Sequence, residues 1–180
     1  MKDETASAVV VMGVAGCGKS SVASGIAARI GARFIEGDAF HPAVNVEKMR
    51  RGIALVDADR WDWLDTLAAQ LREASARGES VVLACSALKR RYRERLRQGD
   101  APVHFVYLAL PEAAALERVG QRPGHFMPAT LVASQFADLE TPAAEAATLT
   151  VDATQALDGL VDQAVQWHLR ACTMQSAQSA

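Results

Sequence analysis

The sequence predicts an α/β domain in which a parallel sheet carries helices on both faces. Three observations lead there. Short apolar runs bounded by turn residues, at Val9–Met12, Val81–Cys85 and Val103–Leu110, read as strands buried on both faces. Between them lie segments with apolar residues at helical spacing, of which Leu64, Leu67, Ala68 and Leu71 are the clearest. Gly13-Val14-Ala15-Gly16-Cys17-Gly18-Lys19-Ser20 fits G-x-x-x-x-G-K-[ST] and links the first strand to a helix marked by Val22, Ala23, Ile26, Ala27 and Ile30. Strands alternating with helices build a parallel sheet. Right-handed crossovers then gather the C-terminal ends of the strands on one edge, where such sheets bind ligands.

Taken in order, the first helix ends at Gly31, a usual residue just past a helix C-terminus. Arg33–Glu36 is a short second strand closed by Gly37-Asp38. The segment from Ala39 to Val56 lacks strong periodicity and holds a short helix from Asn45 to near Gly52. Asp57 or Asp59 caps a long helix that stops at Gly78. After the third strand, Ser86 is expected to cap a helix from Ala87 to Arg97. Pro111 suits the first turn of the helix after the fourth strand, and that helix fades near Gln121-Arg122-Pro123-Gly124. A further helix fits Ala129–Leu139, a weak fifth strand Leu149–Val151, and a last helix Leu157–Leu169. The expected organisation is one domain over residues 1–171, with a lid near 118–140 and a loosely held Ser/Gln/Ala-rich tail at 172–180.

Composition excludes several classes. Half of the 180 residues are apolar, enough for a full core, but no apolar run is long enough to span a bilayer. The start, Met1-Lys2-Asp3-Glu4, has no signal-peptide character. Three scattered cysteines, Cys17, Cys85 and Cys172, form neither a disulfide frame nor a C-x-x-C pair, which fits a reducing cytoplasm. A net charge of −2 argues against bulk nucleic-acid binding. Neither a membrane nor a nucleic acid is expected as partner.

The chemistry gathers at the strand ends. The loop Gly13–Ser20 is a P-loop: its glycines let backbone N–H groups turn inward around phosphates, assisted by the positive end of the following helix. Lys19 is placed to reach the β- and γ-phosphates of ATP, Ser20 to ligate Mg²⁺, and Ser21 to continue the nucleotide site. Asp38 follows the second strand directly. A carboxylate there either takes the proton of an acceptor hydroxyl or holds Mg²⁺ through water. The competing reading is a turn and helix cap. His41 is a candidate substrate contact. The basic helix Lys89–Arg97 is mostly a solvated face, but its first turns, with Ser86, Lys89 and Arg93, could meet an anionic substrate. Arg118, Arg122 and His125 flank Pro123-Gly124, where a lid would bring cations onto the transferred phosphoryl group. Cys17 is either a small spacer or a reactive thiol that bound Mg-ATP would shield.

Longer stretches carry a resemblance. Gly37-Asp38 with His41-Pro42 and Asn45, Glu47-Lys48-Met49, Asp57-Ala58-Asp59-Arg60 with Trp63-Leu64, Cys85-Ser86-Ala87-Leu88-Lys89 with Tyr92-Arg93, Arg122-Pro123-Gly124-His125-Phe126 and Ser134-Gln135-Phe136 resemble the small P-loop gluconokinases. These are related in fold to shikimate and nucleoside-monophosphate kinases. The resemblance implies transfer of the ATP γ-phosphate to the 6-hydroxyl of D-gluconate, in gluconate catabolism feeding the pentose phosphate and Entner–Doudoroff routes. It also implies a five-stranded parallel sheet in the order 2-3-1-4-5, a homodimer, and a substrate site to which Lys48 and Arg60 belong. Ala15 and Cys17 stand where the family usually has Ser, and Ala54 replaces a common proline.

Two alternatives are distinguishable. A shikimate kinase would carry Asp-x-Asp after the second strand and Gly-Gly-Gly after the third, where this chain has Gly37-Asp38-Ala39-Phe40 and Cys85-Ser86-Ala87. A GTPase switch would need Asn-Lys-x-Asp and D-x-x-G, which the chain lacks. An ABC-type or helicase-type ATPase would end the third strand in a Walker-B Asp rather than Cys-Ser.

Overall fold

Five short strands alternate with helices along the chain, in a computed structural model that describes residues 6–99, 102–121 and 128–178. β1 (Ala8–Met12) leads through the glycine loop into α1 (Lys19–Ile30), which ends at Gly31 in the left-handed conformation. β2 (Arg33–Glu36) runs into a 3₁₀ turn at Gly37–Phe40, followed by α2 (Ala43–Arg50) and α3 (Asp57–Ala76). β3 (Val81–Ala84), α4 (Arg90–Leu96), β4 (Val103–Ala109) and α5 (Glu112–Gly120) follow. α6 (Ala129–Asp138), β5 (Thr148–Asp152) and α7 (Leu157–Gln178) complete the order. All strand pairs are parallel, in the order β2-β3-β1-β4-β5 that the family resemblance implies.

The two-residue period of the strands divides the core. Val9 and Val11 of β1 join Val82, Val106 and Leu108 under α1 and α7. Ala8, Val10 and Met12 join Leu83 and Phe105 under α3 and α4, where Trp63, Leu64, Leu67 and Leu71 fill the layer. Both faces are therefore apolar, as a doubly covered parallel sheet requires. Each fully buried leucine or valine contributes about 1.5–3 kcal/mol by leaving water.

Several local expectations change. Ser86 does not cap a helix: Ala87 adopts a positive φ of 43°, so the backbone turns away and α4 begins only at Arg90. α2 starts at Ala43, two positions before Asn45, because Pro42 supplies the bend into the helix and its carbonyl accepts from Asn45 N–H. Asp57 and Asp59 lie inside α3, not before it; Asp59 caps from the third position, its carboxylate accepting the Val56 N–H at 3.0 Å. The last helix does not stop at Leu169 but continues past Cys172 to Gln178, since nothing in Arg170–Gln178 breaks a helix.

Candidate active site

The C-terminal edge of the sheet carries the candidate site. Gly13 leaves β1 with φ 143°, and a Cβ there would lie 2.8 Å from Cys17 Sγ and 2.9 Å from the Leu108 carbonyl oxygen. Only glycine fits this crossing. The loop then wraps so that Ala15, Gly16, Gly18, Lys19 and Ser20 line one cleft. Helix α1 begins at Lys19, so its positive end points into that cleft. Lys19 Nζ donates to the Val14 carbonyl at 3.0 Å, and the Ala15 N–H donates to Gln135 Oε1 at 2.7 Å. Gln135, on α6, belongs to the Ser134-Gln135-Phe136 stretch that carries the family resemblance, but spacing alone gives a helical glutamine no site role; its contact with the loop is what assigns one. Cys17 is 1% exposed and its thiol lies beneath Gly13. Of the two readings of Cys17, the spacer is the one this packing supports.

The opposite wall comes from the end of β2. Gly37 passes so close to β3 that a Cβ would sit 2.3 Å from the Ala84 carbonyl oxygen. Trp63 Nε1 donates to the Gly37 carbonyl at 2.8 Å, and His41 stacks on the Trp63 ring at 4.1 Å between centroids. The turn is thereby fixed, and Asp38 is left exposed at the cleft with His41, Met49, Arg60 and Ser86 beside it. Burial pushes the His41 imidazole down to about 4, the Asp38 charge opposing and the Arg60 charge adding, so His41 is neutral at pH 7. Arg60 is buried on α3, and its Nε has no hydrogen-bond partner among the described residues. A largely buried guanidinium that lines a cleft suits a carboxylate or phosphate.

Other expected contacts go elsewhere. Arg93 does not meet the cleft. It is wholly buried, its guanidinium donating to the carbonyls of Ala87, Leu88 and Glu140 and to the Glu145 carboxylate. The residues after β3 run as buried irregular chain instead of forming helix, and Arg93 is consumed in holding them. Lys89 pairs with Asp57 and Asp138, each at 3.0 Å, and Lys48 with Asp59 at 2.6 Å; neither lines the cleft. Ser21 lies exposed in the first turn of α1, outside the cleft lining. Arg118 lies behind the loop, donating to the carbonyls of Gly16 and Ala153. Arg122 and His125 lie outside the described residues. A hollow of about 500 Å³ beside α4 is lined by Arg93, Arg97 and Glu145, already paired with one another, and shares no residue with the P-loop.

The donors fit Mg-ATP: inward-turned loop amides, one already satisfied by a side-chain carbonyl oxygen as a phosphate oxygen would satisfy it, with Lys19 and Ser20 alongside. A carboxylate and a buried cation across the same cleft can take a hydroxyl proton and bind an anionic acceptor.

A family model described as an AAA domain matches residues 9–145. The chain is 46% identical over 158 residues to a gluconokinase of Gluconobacter oxydans (strain 621H), covering 88% of this chain and 89% of that protein. It is 39% identical over 158 residues to the thermoresistant gluconokinase of Escherichia coli (strain K12), covering 87% and 90%. A solved gluconokinase from Sinorhizobium meliloti 1021 superposes with a TM-score of 0.87 at 43% identity, covering 98% of this chain and 99% of that one. The APS kinase CysC of Mycobacterium tuberculosis shares the fold, with a TM-score of 0.64 at 18% identity over 91% of this chain and 97% of that one.

Proposed function

Because the chain belongs to the gluconokinase family, we infer that its cleft works as follows. The protein phosphorylates D-gluconate with ATP, at the 6-hydroxyl, giving 6-phospho-D-gluconate and ADP. The observation that carries the assignment of parts is that Asp38 and Arg60 face the P-loop lysine across one cleft.

In this reading the loop amides of Gly13–Gly18 and Lys19 hold the ATP phosphates. Lys19 leaves the Val14 carbonyl and follows the charge of the transferred phosphoryl group. Asp38 accepts the proton of the 6-hydroxyl, and Arg60 pairs with the gluconate carboxylate. Neutral His41, held by Trp63, contributes a hydrogen bond to a sugar hydroxyl. Ser20, with Asp38 directly or through water, would hold Mg²⁺, which would supply positive charge to offset that of the phosphates. Arg118 braces the nucleotide side of the loop, while Arg122 and His125 belong to a lid that excludes water. A cytoplasmic homodimer completes the proposal; no helix among the described residues is long and apolar enough to cross a membrane.

A coupled ADP-release assay over gluconate, other sugar acids, shikimate and nucleoside monophosphates tests it. Turnover should require gluconate. Acceptor-independent hydrolysis, or a preference for shikimate, would overturn the assignment.

A further inference from the structure

A second cluster of ligand-type side chains lies at the other edge of the sheet. His104 is on β4, opposite Val9 of β1 in the register, whereas the P-loop leaves β1 after Met12. Its side chain faces α7, where the Trp167 ring meets it edge-on at 5.5 Å. His104 Nδ1 and His168 Nδ1 are 2.7 Å apart, and both residues are buried. One turn further along α7, Cys172 Sγ lies 3.7 Å from His168 Nε2 and 4.0 Å from its Nδ1. One ligand atom from each residue falls within 4.8 Å of the others.

We propose that His104, His168 and Cys172 form a binding site for a thiophilic divalent transition metal such as Zn²⁺, clamping α7 to β4. Two imidazoles and a thiol, with no carboxylate, make a donor set for Zn²⁺ or Co²⁺ rather than for Mg²⁺ or Ca²⁺. His168 and Cys172 stand four residues apart, which stacks them on one helix face. The second shell is also present: His168 Nε2 lies 3.2 Å from Ser7 Oγ, so an Nε2–H donated there leaves the Nδ1 lone pair for a metal. Tetrahedral ligands at zinc distances stand about 3.3 Å apart for two nitrogens and about 3.6 Å for nitrogen and sulfur. The imidazoles need to part by roughly half an ångström, and Cys172 Sγ, 4.0 Å from His168 Nδ1 and within 4.8 Å of the His104 ligand atom, to close by roughly 0.4–1.2 Å.

The protons balance simply. The hydrogen shared between the two Nδ1 atoms is carried by His104 Nδ1 when His168 bears its proton on Nε2. On metal binding it moves to Nε2 of the His104 ring, and the Cys172 thiol gives its proton to solvent as the S–metal bond forms. Three protein ligands leave a fourth position for water. Because α7 packs on α1, the helix that starts at Lys19, the metal would stiffen the platform behind the P-loop without entering the cleft.

Co²⁺ is the probe, added to the full-length protein after chelator treatment. The expected result is one Co²⁺ per chain, with tetrahedral d–d absorption and a thiolate-to-cobalt charge-transfer band, displaced by Zn²⁺. Cys172→Ser, at a half-buried position where a serine is accommodated, should lose the charge-transfer band and weaken Zn²⁺ binding by at least tenfold. Zn²⁺ should raise Tm in the wild type and not in Cys172→Ser. Absence of a thiolate band in the wild type, its persistence in Cys172→Ser, or an equal rise of Tm in both proteins would overturn the site. Cys17 and Cys85 are fully buried elsewhere and serve as internal controls. None of these readouts depends on which acceptor the enzyme phosphorylates.

Discussion

Gln135 on α6 accepts the N–H of Ala15, in the middle of the phosphate-binding loop, at 2.7 Å. A phosphate oxygen arriving at that amide must displace the glutamine. A hydrogen bond of this kind is worth about 0.5–1.5 kcal/mol net. Gln135→Ala should therefore lower the Kd for ATP by about two- to tenfold in the absence of gluconate, as read by calorimetric titration. An unchanged or weaker affinity would show that Gln135 does not compete with nucleotide.

Lys19 rests on the Val14 carbonyl and not on an acid, so it is released at little cost. Lys19→Ala should reduce kcat by about a hundredfold or more and leave Tm close to that of the wild type. Near-normal turnover in a folded variant would remove Lys19 from the phosphoryl-transfer step.

Asp38 is exposed at the cleft, and it is its backbone carbonyl, not its carboxylate, that accepts the His41 N–H closing the turn. Asp38→Asn keeps its size and loses its charge. The expected outcome is a large fall in kcat with ATP affinity nearly unchanged. Gly37→Ala is a companion test of the close crossing with β3: its Cβ would collide with the Ala84 carbonyl oxygen, so both Tm and kcat should drop. An Asp38→Asn enzyme with normal kcat but altered Tm would restore the turn-and-cap reading.

The buried Arg93 is balanced by Glu145, whose carboxylate accepts from Arg93 Nε at 3.0 and 3.1 Å and from Arg97. Glu145→Ala strands that charge and should cost about 3–5 kcal/mol in denaturant unfolding. Burial raises the Glu145 carboxyl, but hydrogen bonds from Arg93 and Arg97 outweigh it and hold the group below its ordinary 4.5. The folded state thus binds this proton less readily than the unfolded state. Its stabilisation is present above pH 4.5 and is lost as pH falls through the lowered value. Unfolding curves from pH 6 to 3 should show a shallower acid loss in Glu145→Gln than in the wild type; equal slopes would contradict the pairing.

Thiol chemistry gives a further check. With Cys17 beneath Gly13, iodoacetamide should inactivate the folded enzyme slowly if at all, and Cys17→Ser should stay active. Rapid inactivation that Mg-ATP prevents and Cys17→Ser abolishes would mean that the loop opens enough to expose the thiol.

The sequence by itself determined the elements and the edge of the sheet that carries the chemistry. Apolar runs such as Val9–Met12, bounded by turn residues, suit a sheet covered on both faces, and Gly13, Gly16 and Gly18 accept the positive φ that the loop needs. Those are properties of adjacent residues, so they can be read from adjacent residues. Tertiary structure decided what each charged side chain meets. Arg60 and Arg93 look alike in sequence, yet one lines the cleft and the other is saturated by Glu145 and three carbonyls. Gln135 reaches Ala15 across 120 positions of chain. His104 and His168 meet across 64. A long polar side chain is committed by whichever donor or acceptor the fold brings within about 3 Å, and no local spacing encodes that encounter.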